Sequence, residues 1–250
     1  MKRYHKLDDD QVLSGVKKII EARPSYGYKR VTAMLNKERR KEGLKTLNRK
    51  RIYRVMDMNG LIMKKGIPKR DHKKTGKIIT LHSNTRWCSD AYEIKCFNGE
   101  KVYVAFALDC HDRECLGYVA RKTPLHATDI QELMLVAVES RFGQTKTPRL
   151  IQWLSDRGSI YRSPTTVEMG RQLGLKCCFT AAYSPESNGM SEAFVATSKR
   201  DYVYTADCKD ADTVLSLIPG WYEDYNENAP HSGLGMKSPL EYRRTMNPGV

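Results

Sequence analysis

The chain has 250 residues, a formal net charge of +14 at pH 7 and seven cysteines, and it opens with the polar stretch MKRYHKLDDD. It contains no run of about 18 apolar residues, which argues against a membrane-spanning helix, and no apolar segment behind its first basic residues, which argues against a secretory signal. It also has no Cys-x-x-Cys pair, which argues against a zinc ribbon and a secreted disulfide framework. We therefore expect a reduced, cytoplasmic protein of one large domain or two ordinary ones.

The positive charge is concentrated in the first third of the chain. Residues 1–80 contain 24 Lys and Arg against 8 Asp and Glu, whereas residues 81–250 contain 19 against 21. Because the basic residues fall on helical patterns, we favour a polyanionic partner, most simply nucleic acid, over a surface that is merely solvated.

The first third predicts three helices. The apolar residues of LDDDQVLSGVKKIIEARP recur at the helical period, with Asp8 as a candidate N-cap and Pro24 closing the segment. A second helix should stop at Gly43, and a third should begin at Thr46 or Asn48. A short basic helix behind a helical pair is the arrangement of a helix-turn-helix DNA reader, although a plain three-helix bundle remains an alternative. The third helix should expose four basic side chains, namely Arg49, Lys50, Arg51 and Arg54.

The segment after these helices has a different composition. Residues 63–82 are rich in Lys and Arg, carry glycine and proline, and have few apolar residues, which is typical of an exposed linker. This linker separates a small all-α domain, predicted over residues 1–62, from a larger domain over residues 83–250.

The larger domain begins with strand patterns and then alternates. Three β-rich runs begin near Arg86, Glu100 and Cys115, and the Asn98-Gly99 pair predicts a hairpin turn between the first two, which should pair antiparallel. Helical and strand patterns then alternate, and the chain finishes in helical patterns. The fold class is therefore predicted as α/β, a mixed sheet flanked by helices.

Three acidic residues stand where such a sheet could bring them together. Asp90 lies within the first predicted strand, and Asp156 ends the fourth strand just before Gly158. Glu192 lies in the first turns of a later helix. If the first and fourth strands are neighbours, Asp90 and Asp156 meet, and the helix could bring Glu192 alongside. Clustered carboxylates repel one another unless a cation neutralises them, and oxygen ligands without nearby His or Cys favour Mg²⁺ or Mn²⁺ over zinc.

The residues around these acids carry more information than the acids themselves. The motif D-x-G-S-x-Y begins at Asp156, and S-P-E-S-N-G-M-S-E ends at Glu192. Both closely resemble the catalytic signatures of the retroviral-type integrase core, and the match is closest to the OrfB-type transposases of bacterial insertion sequences. YGYKRVTAMLN, NRKRIYRVMDMNGL and YNENAPHSGLGMKSPLEYR resemble further segments of that family, so the resemblance covers nearly the whole chain.

The resemblance implies a fold, a reaction and a set of ligands. The fold would be RNase H-like, and Asp90, Asp156 and Glu192 would be the catalytic acids and the ligands of Mg²⁺ or Mn²⁺, with two ions expected. The family cleaves one DNA strand at the element's end and uses the freed 3′-OH to attack another phosphodiester, without a covalent protein–DNA intermediate. Lys199, two helical turns after Glu192, would match a basic DNA-contacting residue, although an ordinary exposed lysine is an equal alternative.

The resemblance also implies partners and leaves rival functions open. The partners would be DNA at the element ends and the target, an upstream OrfA product or its fusion, and further copies of the chain, in a nucleoid-associated bacterial setting. The alternatives are a catalytically idle DNA-binding regulator of transposition and a nuclease of the same fold that cuts without joining.

A few further residues have competing interpretations. Asp109 and Asp112 could replace Asp90 as the first ligand, but their place at a strand end and its turn makes this the weaker choice. His231 could approach the active site or serve loop packing, and Ala229 stands where many relatives have Arg. The three tryptophans are expected to be core residues rather than base-stacking platforms, namely Trp87, Trp153 and Trp221.

Overall fold

The computed structural model describes residues 4, 6–63, 80–180 and 189–246, and these fall into two compact units. One unit is built on the N-terminal helices together with Pro230–Lys237, and the other is built on a β-sheet. No helix within the described residues is long and apolar enough to cross a membrane.

The helical unit contains the three predicted helices, α1 (Asp9–Ala22), α2 (Tyr28–Lys41) and α3 (Arg49–Met58). The periodic apolar residues form its core, with Val16, Val31, Ile52 and Met56 fully buried. The third helix begins after Asn48, whose side chain accepts a hydrogen bond from the Lys50 amide at 2.8 Å. Asp8 precedes α1 at the N-cap position, but its side chain makes no capping hydrogen bond.

The second unit contains a five-stranded mixed sheet. Its strands are β1 (Arg86–Lys95), β2 (Lys101–Asp109), β3 (Cys115–Arg121), β4 (Ile151–Ser155) and β5 (Leu175–Phe179). The spatial order is β3-β2-β1-β4-β5, with β1–β2 and β2–β3 antiparallel and β1–β4 and β4–β5 parallel. The predicted antiparallel hairpin is confirmed, and Gly99 takes a φ of 90° in its turn. The first and fourth strands are indeed neighbours, as the sequence argument required.

Helices cover both faces of this sheet. They are α4 (Ala127–Phe142), α5 (Ser159–Arg162), α6 (Pro164–Leu173), α7 (Gly189–Asp201), α8 (Ala211–Glu227) and α9 (Pro239–Met246). Adjacent residues of β1 belong to different apolar clusters: Trp87 packs with residues of α4 and α6, whereas Cys88 packs with residues of α7 and α8. The alternation of β1 therefore divides the core into two layers, as expected for a central strand.

The short helices α5 and α9 are additions to the predicted elements. The α/β architecture, a mixed sheet flanked by helices and preceded by an all-helical region, is otherwise as predicted. The linker predicted over residues 63–82 lies mostly outside the described residues.

Candidate functional site

The register of the central strands aligns two of the predicted acids. The parallel ladder between β1 and β4 pairs Trp87 with Trp153 and Cys88 with Leu154. Continued by two residues, the same register brings Asp90 level with Asp156, the first residue after β4. Neighbouring strands lie about 4.8 Å apart, so the two carboxylates project from adjacent backbones.

Helix α7 brings the third acid to the same region. Phe106 pairs with Asp90 across β1 and β2, and its ring centroid lies 4.4 Å from that of Phe194 on α7. Glu192 precedes Phe194 by two residues and is exposed in the first turn of the helix. The helix is therefore anchored on the sheet directly beside the strand position of Asp90.

The pKa of Asp90 is raised by burial and by the charges of the other two acids. Burial raises the pKa of Asp90 to about 6, and the negative charges of Asp156 and Glu192 add to this rise. The Ala91 amide donates to Asp90 Oδ1 at 2.8 Å and opposes it. A half-buried carboxyl that faces two further acids is an electrostatically unfavourable arrangement without a cation.

The donor set fits a hard divalent cation. Among the described residues, no three His, Cys, Asp or Glu side chains are gathered closely enough to hold a metal ion directly. The three acids are therefore neighbours, but they do not form a closed set of metal ligands in this structure. They offer carboxylate oxygens alone, which is the donor chemistry that Mg²⁺ and Mn²⁺ prefer.

A turn after β4 orients Asp156. The Gly158 amide donates to Asp156 Oδ1 at 2.9 Å. The buried Tyr161 follows in α5, and its hydroxyl lies 3.2 Å from Ser89 Oγ on β1, next to Asp90. The glycine and tyrosine of the D-x-G-S-x-Y motif therefore tie the Asp156 turn to the strand that carries Asp90. The sequence contained both residues, but only the structure shows what they hold.

Substitution of Gly158 by alanine tests this turn. A Cβ at position 158 would lie 3.0 Å from Asp156 Oδ1, so the carboxylate must shift by a few tenths of an ångström. Because misplacement of a catalytic group by about 1 Å can cost about 100-fold, we expect this smaller shift to lower DNA cleavage by Gly158→Ala by up to about 10-fold. A gel-based cleavage assay measures this rate. Gly220→Ala is the control because nothing lies within 4 Å of its added Cβ, and equal rates for Gly158→Ala and wild type would contradict the role of the turn.

The raised pKa of Asp90 predicts a pH-dependent stability. In the folded protein this carboxyl has a pKa of about 6 against an ordinary value of 3.8, so folding favours its protonated form. Its stabilising contribution is present below about pH 3.8 and is lost as the pH rises to about 6. The measurement is made with a metal chelator in the buffer and compares the free energy of unfolding of Asp90→Asn with that of wild type. The value for the variant minus the value for wild type should increase between these pH values and then level off.

Urea denaturation across this pH range measures the difference. Titrating groups that lie far from Asp90 are shared by the two proteins and cancel in the subtraction. Asp207→Asn, which removes an exposed loop carboxyl, is measured alongside as the control. A difference for Asp90→Asn that does not change with pH would show that Asp90 is not held at an unfavourable position.

The alternative first ligands are engaged elsewhere. Asp109 and Asp112 are fully buried, and the guanidinium of Arg141 donates to them at 3.0 Å and 2.7 Å. Arg141 also donates to Glu114 at 2.6 Å, and Glu114 accepts a second hydrogen bond from Arg243 of α9. These acids belong to a buried ion-pair cluster, here called the Arg141 cluster, so they are not available as catalytic ligands. Nothing in the sequence pattern indicated Arg141.

Lys199 lies beside the candidate active site. Its Nζ is 5.7 Å from the centroid of the Tyr92 ring, which is close enough for a cation–π contact. Tyr92 follows Asp90 by two residues and so lies on the same face of β1. The side chain is partly buried, and its contact with DNA remains a prediction.

The outward exposure predicted for two arginines of α3 is wrong. Arg51 and Arg54 are paired with Asp9 at the start of α1, where Arg51 Nε donates to Asp9 Oδ1 at 2.9 Å, and Arg51 also binds Asp8. Burial alone would raise the pKa of Asp9, but hydrogen bonds from the Lys6 amide and Arg51 hold this pKa below its usual value. Arg49 and Lys50 are exposed as predicted.

The remaining interpreted residues are core or loop residues. Trp87 and Trp153 are fully buried, as predicted, and Trp221 packs against the α7–α8 side of the core with its ring stacked on Tyr202. Ala229 is buried. The backbone amide of His231 donates to the Lys237 carbonyl in an isolated bridge.

The sheet order, the flanking helices and the neighbouring acids define an RNase H-like integrase core. Residues 81–185 match the family described as integrase core domain, residues 173–239 match a second integrase core domain family, and residues 7–70 match an HTH-like domain. A chain of the simian T-cell lymphotropic virus intasome, solved with PP2A regulatory subunit B56 gamma, has a TM-score of 0.55 and 15% identity. That likeness covers 91% of this chain and 73% of that chain, and it concerns the fold.

Sequence relatives are more similar. The chain is 42% identical over 245 residues to transposase InsD for insertion element IS2A/D/F/H/I/K of Escherichia coli, a match that covers 97% of this chain and 81% of the relative. Transposase InsD for insertion element IS2 on the F plasmid of Escherichia coli K12 matches equally well. The chain belongs to the OrfB-type transposases of bacterial insertion sequences, and is thus a polynucleotidyl transferase of DNA transposition.

Proposed function

We propose that Asp90, Asp156 and Glu192 together bind Mg²⁺ or Mn²⁺ ions, expected to be two, and that the chain uses this site to cut and join DNA at the ends of an insertion element. The observation that carries the proposal is the parallel register of β1 and β4, which aligns Asp90 with Asp156. The raised pKa of Asp90 supports it, because the negative charges of Asp156 and Glu192 add to the effect of burial.

The reaction divides into two transfers at phosphorus. In the first, a water oxygen attacks a phosphodiester at the element's end, the P–O3′ bond breaks, and the 3′ oxygen leaves as a hydroxyl. In the second, this 3′-OH attacks a phosphodiester of the target, a new P–O bond forms, and another 3′-OH departs. The number of phosphodiester bonds is conserved in the second transfer, so joining needs no external energy source. Bound divalent ions would activate the attacking oxygen and stabilise the leaving oxygen.

The positions of the protein groups suit these transfers. Asp156 and Glu192 are exposed, and Asp90 lies half-buried beside them, so a DNA backbone can approach the acids from the solvent. Two motif residues, Gly158 and Tyr161, hold the Asp156 turn in place before substrate arrives. Lys199 carries positive charge on the same face as Asp90 and is suited to a phosphate.

The helical region supplies a second contact with DNA in this proposal. We infer that the domain over residues 1–62 binds the element ends, that residues 63–82 connect it to the catalytic domain over residues 83–250, and that at least two copies act together because two ends must be joined. An upstream OrfA product or its fusion would complete end recognition. The protein would act on the DNA of the bacterial nucleoid.

The test uses the purified chain, alone and with the upstream product, on labelled DNA carrying both element ends. With Mg²⁺ or Mn²⁺, nicked and joined strands are expected, and a chelator should abolish both. Nicks without joined strands would indicate a nuclease, and end binding without nicks in the complete mixture would indicate a regulator. Products that persist in chelator would contradict the metal site.

A further inference from the structure

The exposed side of α3 is narrower than its basic composition suggests. At 100° per residue, Arg49, Lys50 and Tyr53 fall within about 100° of arc on the helix surface, and these three residues form what we call the α3 stripe. Arg49 and Lys50 are exposed and form no ion pair with any described residue, and Tyr53 retains 43% of its surface exposed. Asp57 continues the stripe beyond Tyr53, so the positive part is the N-terminal half of the helix.

The rotation of α3 is fixed by its other side. Ile52, Val55 and Met56 are buried in the helical core. Arg51 and Arg54 are both bound to Asp9 of α1, as described above. Because apolar contacts and ion pairs hold the remaining directions, the α3 stripe is the side that the helix presents to solvent.

Tyr53 packs against a second aromatic ring despite its exposure. Its ring meets the ring of Tyr28, at the start of α2, edge to face, with centroids 5.1 Å apart and an interplanar angle of 80°. Within α3, as the structure describes it, Tyr53 is the one large apolar side chain that is exposed. An exposed aromatic ring that is packed on one side and flanked by two exposed cations is suited to contact a base of DNA.

We propose that Tyr53 reads sequence in the element ends by packing its ring against a thymine methyl group in the major groove, while Arg49 and Lys50 contact the flanking phosphates. The proposal rests on the proposed function, since it names the reading residue of the same DNA contact. Thymine is distinguished in the major groove by its C5-methyl, which aromatic and other apolar side chains contact. The two exposed cations favour DNA over a second copy of this basic unit as the occupant of the stripe.

The experiment compares full-length variants by their affinity for a duplex of the element end and for a scrambled duplex of the same composition. Tyr53→Ala should lower the ratio of the two affinities by about 10-fold and leave the dependence on salt unchanged. Tyr53→Phe should retain most of the ratio. Arg49→Ala or Lys50→Ala should weaken binding to both duplexes by a similar factor. Each should also reduce the slope of log affinity against log salt concentration by about one. Tyr204→Ala is the matched control, because Tyr204 is an exposed tyrosine of the sheet unit.

Replacing thymine by uracil in the end duplex tests the methyl contact itself. When the thymines are replaced one at a time, we expect one position where uracil weakens DNA binding by wild type several-fold but does not change DNA binding by Tyr53→Ala. The proposal is overturned if Tyr53→Ala keeps the wild-type ratio, if no uracil position distinguishes the two proteins, or if the variant changes only the oligomeric state. If wild type itself does not prefer the end, base reading by Tyr53 fails, whereas metal-dependent cleavage and joining remain open to their own assay.

Discussion

Arg141→Leu is expected to lower the free energy of unfolding by about 3–5 kcal/mol, the usual consequence of removing one partner of a buried ion pair. The guanidinium is almost fully buried and hydrogen-bonds to Asp109, Asp112 and Glu114. Burial already raises the pKa of Asp109 and that of Glu114, and Arg141 opposes both shifts. Without it, three acids are left in a poorly solvated position with Arg243 as their remaining cation. Against a typical total of about 5–15 kcal/mol, this loss is a large fraction of the stability and should lower the melting temperature by roughly 10 °C.

Thermal and urea denaturation of the full chain measure this loss. Arg171→Leu is the matched control, because Arg171 forms an exposed pair with Glu168 and should change stability by less than about 1 kcal/mol. The destabilisation of Arg141→Leu should be smaller at low pH, where the orphaned acids are neutralised by protons. A loss no larger than that of Arg171→Leu would show that the Arg141 cluster contributes little to holding β2, α4 and α9 together.

The second large effect is expected at the acidic triad. Asp156→Asn and Glu192→Gln should each reduce metal-dependent cleavage and joining by about a thousandfold or more, if the bound ions supply roughly 4 kcal/mol of transition-state stabilisation. Both side chains are exposed, so neither substitution should unfold the protein or weaken binding to an element-end duplex.

Controls separate loss of chemistry from loss of structure. Asp207→Asn and Glu223→Gln remove exposed carboxylates outside the proposed site and should retain wild-type rates. DNA binding and denaturation curves are measured for the same preparations. Cleavage by Asp156→Asn at the control rate would contradict the proposed role of the triad.

Much of the sheet and the elements that carry the three acids could be predicted from sequence. The alternation around Asp90, the apolar run before Asp156 and the Asn98-Gly99 turn are local signals, and they determine strand positions and the pairing of β1 with β2. The prediction that Asp90 and Asp156 meet required β1 and β4 to be adjacent strands, and the sheet order confirms that they are.

The features that were missed depend on contacts between residues distant in the chain. Helical period placed Arg51 and Arg54 on α3 correctly, but it could not show that Asp9, more than 40 residues earlier, would pair with them. Arg141 was likewise unremarkable in its helix until the fold surrounded it with three acids from the β2–β3 region. Charge patterning along one helix predicts exposure only when neighbouring elements carry no complementary charge.

The central claim is that Asp90, Asp156 and Glu192 form one metal site. The most direct test is to titrate the protein with Mn²⁺ and to follow the free ion by electron paramagnetic resonance. Wild type should bind Mn²⁺ at pH 7, each of Asp90→Asn, Asp156→Asn and Glu192→Gln should weaken that binding strongly, and Glu223→Gln should leave it unchanged. Equal Mn²⁺ binding by wild type and by all three triad variants would contradict the claim, because the three carboxylates would then be neighbours without a shared ion.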